Sequence, residues 1–566
     1  TKDRYIIACS DLTTGENFIV TMPREIELLT SEIMNLSLKE LVVSSDFNQK
    51  LLRSHLELSA FTLSLSDART LPEYYRNLVQ EIYDKDLLAT FASLINYLIK
   101  TQRRELLHMQ KVRLFESRQY LRLDNNSIRN LELVETARAG LRKGSLFWLL
   151  DRCQTAMGSR LLKQNLLRPL IEKDKIETRF SLVESLNDNF IVREDIRNQL
   201  KNVYDLERIV GRVSFGNANG RDLVNLKRSL RTIPVIRESL GVLDNPYAHT
   251  LLAEMDDFAT LASLIDAAII DNPPLSIKEG GIIKTGYDKA LDELRNNATS
   301  GKDWLARFEE QERNRTGIKK LKVGYNRVFG YYIEITKGQL DLVTSAFGYE
   351  RKQTLVNSER FVNAELKQME ARILGSQEHS VQREYELFVA IRDEVFAMID
   401  GLQRLARAIA TIDMLVAFSQ VAMDHHYVRP TLTAARRLEI IGGRHPVVER
   451  LLEEGTFVEN DLLMGEETGI LLITGPNMSG KSTYMRQLAL SIIMMQIGCF
   501  IPAQAAKLPL FDQIFTRIGA SDDLSTGKST FMVEMLEVNY AIQNATENSL
   551  ILFDEIGRGT ATYDGM

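Results

Sequence analysis

The sequence predicts a multidomain protein in which α/β regions at the two ends flank a mainly α middle. Three observations carry this. The chain has 566 residues, and at roughly 150 residues per domain that makes about four domains. No proline lies between Pro72 and Pro169 or between Pro274 and Pro430; such stretches, rich in Leu, Glu, Arg and Ala, permit long helices. Beyond Pro430 the segments shorten and glycine becomes more frequent, the texture of alternating strands and helices.

Taken in order, Arg4–Cys9 and Phe18–Met22 flank Thr13-Thr14-Gly15, a hairpin signal, and Glu40-Leu-Val-Val-Ser44 has the composition of a buried strand. Far downstream, Phe388, Ile391, Val395, Met398, Leu402, Leu405, Ile409, Ile412 and Val416 alternate in steps of three and four. That seam predicts one long helix lying along another. A helix of about 40 residues would span roughly 60 Å, the length of a lever, although a core helix of a compact bundle carries the same pattern. Ahead of it, Ile318–Tyr325 and Val328–Thr336 predict a hairpin around Asn326-Arg327. Residues 313–367 hold eleven Lys or Arg against five acids, a net +6 in a chain of net −6. Phosphates attract such a patch without being read for sequence. Lys319, Lys320, Lys322, Arg327, Arg351 and Lys352 are therefore DNA-contact candidates, a solvated charged face being the plainer alternative.

Composition narrows the class. Hydrophobic residues make up 44% and charged residues 26%, as in globular proteins with sizeable cores. Cys9, Cys153 and Cys499 lie far apart without metal-type spacing, which fits a reducing, intracellular setting. His425 and His426 are neighbours, a pattern commoner at solvated helix ends than in metal sites. Residues 1–10 lack a signal pattern. The longest apolar run, Leu488–Ala503, is interrupted by Ser491, Gln496, Gly498 and Pro502 and is shorter than the roughly 20 residues a membrane helix needs. Starting at Thr1 without methionine and stopping at Met566 just past a strong motif, the chain reads as a fragment of something longer.

The chemistry lies in the last region. Gly475-Pro476-Asn477-Met478-Ser479-Gly480-Lys481-Ser482 fits the P-loop pattern between an expected strand, Ile470–Ile473, and an expected helix, Thr483–Met495. Glycines let the backbone wrap the phosphates of ATP, and a helix N-terminus aims amides at them. Lys481 adds a charge at the β/γ-phosphates, and the Ser482 hydroxyl suits Mg²⁺. About 70 residues on, the apolar run Leu550–Phe553 delivers Asp554, suited to hold Mg²⁺, and Glu555, suited to activate water. Between them, Leu524–Met535 has Ser and Gly ahead of an apolar helix, like an ABC-type signature loop, or simply a polar loop entering a core helix.

These stretches resemble the MutS family of DNA mismatch-repair ATPases. The resemblance rests on Thr474–Arg486, Phe515–Asp523, Ser529–Met535 and Asp554–Thr560, and upstream on Gly442–Glu449, Thr316–Ile333, Asp205–Arg208, Gly220–Leu223 and Thr155–Arg160. It implies a ribonuclease-H-like connector (1–107), a helical core and lever (108–294 and 376–428), an inserted β-rich DNA clamp (295–375) and an incomplete ABC-type ATPase domain (429–566). It also implies roles. Phe457 stacks on adenine, Ser529 acts in trans on the other subunit's nucleotide, Gly557–Thr560 passes between two ATP sites, Thr483 joins the P-loop set, and Lys481 and Glu555 are catalytic. Ala561 stands where bacterial relatives usually carry serine.

From the same resemblance follow ATP and Mg²⁺ as cofactors, a homodimer on mismatched double-stranded DNA, a MutL-type partner and a cytoplasmic, nucleoid-associated place in bacteria. ATP binding and hydrolysis would switch the dimer to a sliding clamp. The family's mismatch-reading domain would precede Thr1; Phe308-Glu-Glu310 matches its short motif by coincidence. A DNA clamp or junction-binding scaffold without mismatch recognition is the alternative.

Overall fold

A computed structural model describes residues 3–36, 38–53, 62–103, 105–106, 109–116, 119–326, 330–452, 457–465, 467–476, 479–518 and 530–557. Its elements run β1 (Arg4–Asp11), β2 (Glu16–Pro23), α1 (Ile26–Asn35), β3 (Glu40–Val43), α2 (Gln49–Arg53), β4 (Thr62–Leu65), α3 (Lys85–Gln102), β5 (Arg113–Glu116), β6 (Arg122–Leu123), α4 (Asn125–Asn130), α5 (Leu146–Leu150), α6 (Ala156–Leu167), α7 (Lys173–Asp188), α8 (Phe190–Leu200), α9 (Leu206–Ser214) and α10 (Gly220–Gly241). Then come α11 (Pro246–Ala253), α12 (Ala259–Ala268), α13 (Lys289–Thr316), β7 (Lys322–Asn326), β8 (Gly330–Thr336), β9 (Glu350–Thr354), β10 (Ser358–Val362), α14 (Ala364–Ala397) and α15 (Ile399–Asp424). The last stretch holds β11 (Thr431–Thr433), β12 (Leu438–Gly443), α16 (Pro446–Leu451), β13 (Asn460–Met464), α17 (Lys481–Gln496), β14 (Ala505–Pro509), β15 (Gln513–Arg517), α18 (Thr530–Asn544) and β16 (Ser549–Phe553). Two compact units result: Thr1–Phe215, Arg228–Asp257 and Met398–Met566 in one, Gly216–Lys227 and Phe258–Ala397 in the other.

In the first unit the expected N-terminal hairpin forms. β1 pairs antiparallel with β2 from Arg4↔Pro23 to Asp11↔Glu16, and β5 adds parallel to β2. The Asp11 carboxylate accepts from the Thr13 amide and hydroxyl, both at 2.7 Å, and Gly15 takes the left-handed φ of 72° that closes the loop. The loop abuts α9, where a side-chain carbon on Gly211 would run into the Thr13 carbonyl, so only glycine allows this approach.

α15 is the spine of this unit. By length and composition it could cross a bilayer, yet its most apolar stretch is 83% buried inside the protein, packed by α6, α7, α8 and α9. Asp413 on α15 has no exposed surface. Its carboxylate accepts from Gln154 N at 2.9 Å, Thr155 N at 2.7 Å and Thr155 Oγ1 at 2.6 Å, and the same hydroxyl caps α6 at Gly158 N. Burial pushes the Asp413 carboxyl up to about 6.

The expected single long helix is two. α14 ends at Ala397, and Met398 (φ −101°, ψ 15°) caps the start of α15. Asp400 in the first turn of α15 suits a helix start, where an acid faces the positive end of the dipole. The seam residues stay buried on both sides of the break, while Met398 is 37% exposed. Apolar spacing reports which side chains are inside, not whether the hydrogen-bond ladder is continuous.

The C-terminal part of this unit has two sheets, ordered β11-β14-β12-β13 and β16-β15-β6. β6, from far upstream, pairs parallel with β15, and α4 behind it donates from Ser127 Oγ to the Ile514 carbonyl at 3.1 Å. One expectation is corrected here. Ile470–Ile473 forms no strand, and Ile470 and Leu472 are 88% and 85% exposed. A strand exists only when a neighbouring ladder takes up its amides and carbonyls, and no described strand pairs with this run.

The second unit carries a four-stranded antiparallel sheet, order β7-β8-β10-β9, between the long helices α13 and α14, which pack together. The expected hairpin is present, closing at Asn326↔Gly330, with residues 327–329 outside the described set. Its first strand starts at Lys322 rather than Ile318 because Ile318 and Leu321 turn inward as core residues. Phe308 is buried in the same core, stacked on Trp304 with centroids 4.8 Å apart.

Candidate nucleotide site

The loop Gly475–Gly480 leads directly into α17, whose residues Gln487 to Gln496 are all buried. Gly480 has a left-handed φ of 93° at the helix entrance, and a side-chain carbon on Gly475 would lie 3.0 Å from Ser479 Oγ. Lys481 Nζ donates to the carbonyls of Gly475 and Pro476 at 2.9 and 3.0 Å. Its own lysine thus ties back to the start of the loop, and a helix N-terminus such as that of α17 leaves amides without partners inside the helix. Asn477 and Met478 lie outside the described residues.

Across from the loop, β16 pairs parallel with β15 over its whole length, Gln513↔Ser549 to Arg517↔Phe553. Asp554 extends that ladder, its amide donating to the Arg517 carbonyl at 2.8 Å. Its carboxylate accepts a hydrogen bond from Ser482 Oγ. Two side chains 72 positions apart in sequence therefore meet as a hydroxyl and a carboxylate, hard oxygen donors that fit Mg²⁺, an ion that keeps several waters and takes few protein ligands. Among the described residues, no group of three or more His, Cys, Asp and Glu side chains could hold a metal ion. Glu555 follows with a φ of 55° and Gly557 with 89°.

Phe457 is partly buried three residues ahead of β13. Tyr484 of α17 donates to the Asp461 carbonyl of β13 at 2.8 Å, which moors that segment to the P-loop helix. Behind it, His445 caps α16 by accepting from Val448 N through Nδ1 at 3.2 Å. Burial, with a smaller push from the Arg486 guanidinium of α17, pulls the His445 pKa down to about 4, so the imidazole is neutral near pH 7. Ser529 and Arg558–Thr560 lie outside the described residues; α18 begins at Thr530. Tyr484 and Glu534 fall inside motifs visible in the sequence, but nothing in their spacing announced a contact.

The basic region of the second unit is unevenly committed. Arg351 pairs with Glu359 at 2.7 Å and Arg360 with Glu334 at 3.1 Å. Lys319, Lys320, Lys322 and Lys352 are exposed and form no ion pair among the described residues. Arg327 lies outside the described set.

Comparison with known proteins agrees along nearly the whole chain. Family models described as MutS domain II, MutS domain III and MutS domain V match residues 1–110, 126–419 and 471–566. Proteins named DNA mismatch repair protein MutS from Bacillus cytotoxicus, Bacillus cereus and Bacillus mycoides are each 51% identical over 562 residues, 99% of this chain. The chain spans 63% of the length of these relatives.

Proposed function

Because this chain belongs to the MutS family, we propose that it supplies the connector, lever, clamp and ATP-binding parts of a DNA mismatch-repair ATPase. The observation that carries this reading is the meeting of Ser482 and Asp554 beside the P-loop. ATP is cradled by Gly475, Pro476, Asn477, Met478, Ser479, Gly480, Lys481, Ser482 and Thr483, with adenine against Phe457. Ser482 and Asp554 would hold Mg²⁺, which would supply positive charge beside the β- and γ-phosphates. Lys481 leaves the loop carbonyls for the phosphates, and Glu555 orients and deprotonates the attacking water. Ser529, the residue before Thr530 in the sequence, acts on the nucleotide of a second copy, so the working site is an ABC-type composite of two subunits.

In the same reading the N-terminal region is a ribonuclease-H-like connector, α14 and α15 belong to the lever, and the region of the β7–β10 sheet is the clamp, with Lys319, Lys320, Lys322 and Lys352 on the DNA backbone. Mismatched duplex and a MutL-type protein are the partners. ATP shifts the dimer between open and closed states only through a difference in affinity for the two.

The test is duplex binding by the complete protein. Mismatched DNA is expected to bind more tightly than matched DNA and to be released by ATP, and Lys481→Ala to abolish that release. Replacing Lys319, Lys320 and Lys322 together by Gln is expected to weaken both duplexes alike. It should flatten the slope of log K against log salt by up to about 3. Equal affinity for the two duplexes favours the scaffold reading; release unchanged in Lys481→Ala refutes the P-loop assignment.

A further inference from the structure

The turn that carries Glu555 is pinned on both sides. On one side the Asp554 amide donates to the Arg517 carbonyl at 2.8 Å. On the other, the Gly557 amide donates to Glu534 Oε1, also at 2.8 Å. Between the pins, Glu555 holds a left-handed φ of 55°, a conformation a non-glycine residue keeps only when its surroundings over-determine it.

Glu534 is an unusual post. It sits near the start of α18 and is only 5% exposed, where an uncompensated carboxylate is costly. A hydrogen bond to a charged acceptor is among the stronger ones, so the Gly557 amide answers that cost. The helix bearing it is itself anchored to the strand that holds the other pin. Arg517 Nε lies 3.1 Å from Glu537 Oε2 and Tyr540 meets Phe515 edge-on at 6.0 Å, while Asn126 Nδ2 of α4 donates to Glu537 Oε1 at 2.9 Å. Both pins are thus mounted on one frame, α18 against β15, and frames of this kind hold functional groups better than loops do.

We propose that Glu534 is a positioning residue for Glu555: by accepting from the Gly557 amide it locks the turn that aims the Glu555 carboxylate at the attacking water. It neither touches nucleotide nor exchanges a proton. The assignment rests on Glu555 acting as the base in the function proposed above.

The experiment is done on the complete protein. Binding is read with a fluorescent ATP analogue in the presence of Mg²⁺, and chemistry by single-turnover hydrolysis of ATP. Glu534→Ala is expected to bind nucleotide within about threefold of wild type and to hydrolyse it about 10- to 100-fold more slowly. Glu534→Gln, whose amide oxygen can accept the same hydrogen bond, is expected to recover hydrolysis to within about fivefold. A residue that acts only through Glu555 adds nothing once Glu555 is disabled, so Glu534→Ala in a Glu555→Gln background is expected to cost no more than Glu555→Gln alone. Three results overturn the proposal: wild-type hydrolysis by Glu534→Ala, additive losses in the double variant, or binding lost in step with hydrolysis. If Glu555→Gln itself hydrolyses at the wild-type rate, the base assignment fails instead, so the two failures are distinguishable.

Discussion

Two apolar runs of four residues precede the two loops of the candidate nucleotide site, and they behave in opposite ways. Leu550–Phe553 lies in β16, paired along its length with β15, with Leu550 and Leu552 9% and 6% exposed. Ile470–Ile473 is unpaired among the described strands, with Ile470 and Leu472 almost fully exposed. Their compositions are nearly interchangeable. Strand propensity describes side chains that suit a pleated, half-buried surface, and the neighbouring ladder decides whether that surface exists. One consequence is mechanical. Asp554 and Glu555 are delivered by a ladder and by α18, whereas the P-loop is steadied from the other side, by the buried length of α17 and the Tyr484 tie to β13.

The largest expected effect tests the β16 side through its chemistry. Glu555→Gln should leave nucleotide binding near wild type and slow single-turnover hydrolysis by about 10² to 10⁴. A rate within twofold of wild type would remove the functional meaning from the strand-supported half. Next comes stability. Leu552→Ala is expected to cost about 2–5 kcal/mol in urea unfolding, the range for truncating a buried leucine. Leu472→Ala should stay within about 0.5 kcal/mol, as for an exposed site. Similar costs for the two would break the contrast outright.

A third test uses acid to loosen one side only. The folded pKa of His445, about 4, lies below its ordinary 6.5. Between these values the unfolded chain binds a proton that the folded chain does not, so stability rises with pH. The contribution is complete above about pH 6.5 and is lost as pH falls towards 4, up to roughly 3 kcal/mol. Asp413 acts in the opposite sense. Its folded pKa, about 6, lies above its ordinary 3.8, so its burial is tolerated best at low pH and opposes folding as pH rises through this window. A global melt therefore mixes the two, and hydrogen exchange corrected for intrinsic rates is the better probe. From pH 7 to 5, protection should fall in α16 and the start of α17 and hold in β15 and β16. His445→Asn, which keeps a capping acceptor without the titration, should flatten that response. Equal loss on both sides would show that the two halves of the site are not separately supported.

Much of this molecule was legible before any coordinates. The Thr13–Gly15 hairpin, the β3 strand, the hairpin around Asn326 and the P-loop entering α17 all follow from local rules, namely turn residues, alternation and a glycine-rich phosphate loop. The break at Met398 did not follow, because a heptad seam survives an interrupted backbone. The strand expected at Ile470 did not form, because pairing is a property of the neighbour. Arg351 looked like its basic companions in sequence, yet it is committed to Glu359, while Lys319, Lys320 and Lys322 form no ion pair among the described residues.

By itself, then, the sequence determined which groups are available. Lys481, Ser482, Asp554 and Glu555 stand in motifs whose chemistry is written in residue type and spacing, and the net +6 of residues 313–367 is a sum that no fold can change. Tertiary structure decided which groups meet. It brought Ser482 to Asp554 across 72 residues, set β6 beside β15 and placed the Glu534 carboxylate on the Gly557 amide. Such contacts depend on how separate elements pack, and packing is decided by surfaces remote in sequence that no local pattern encodes.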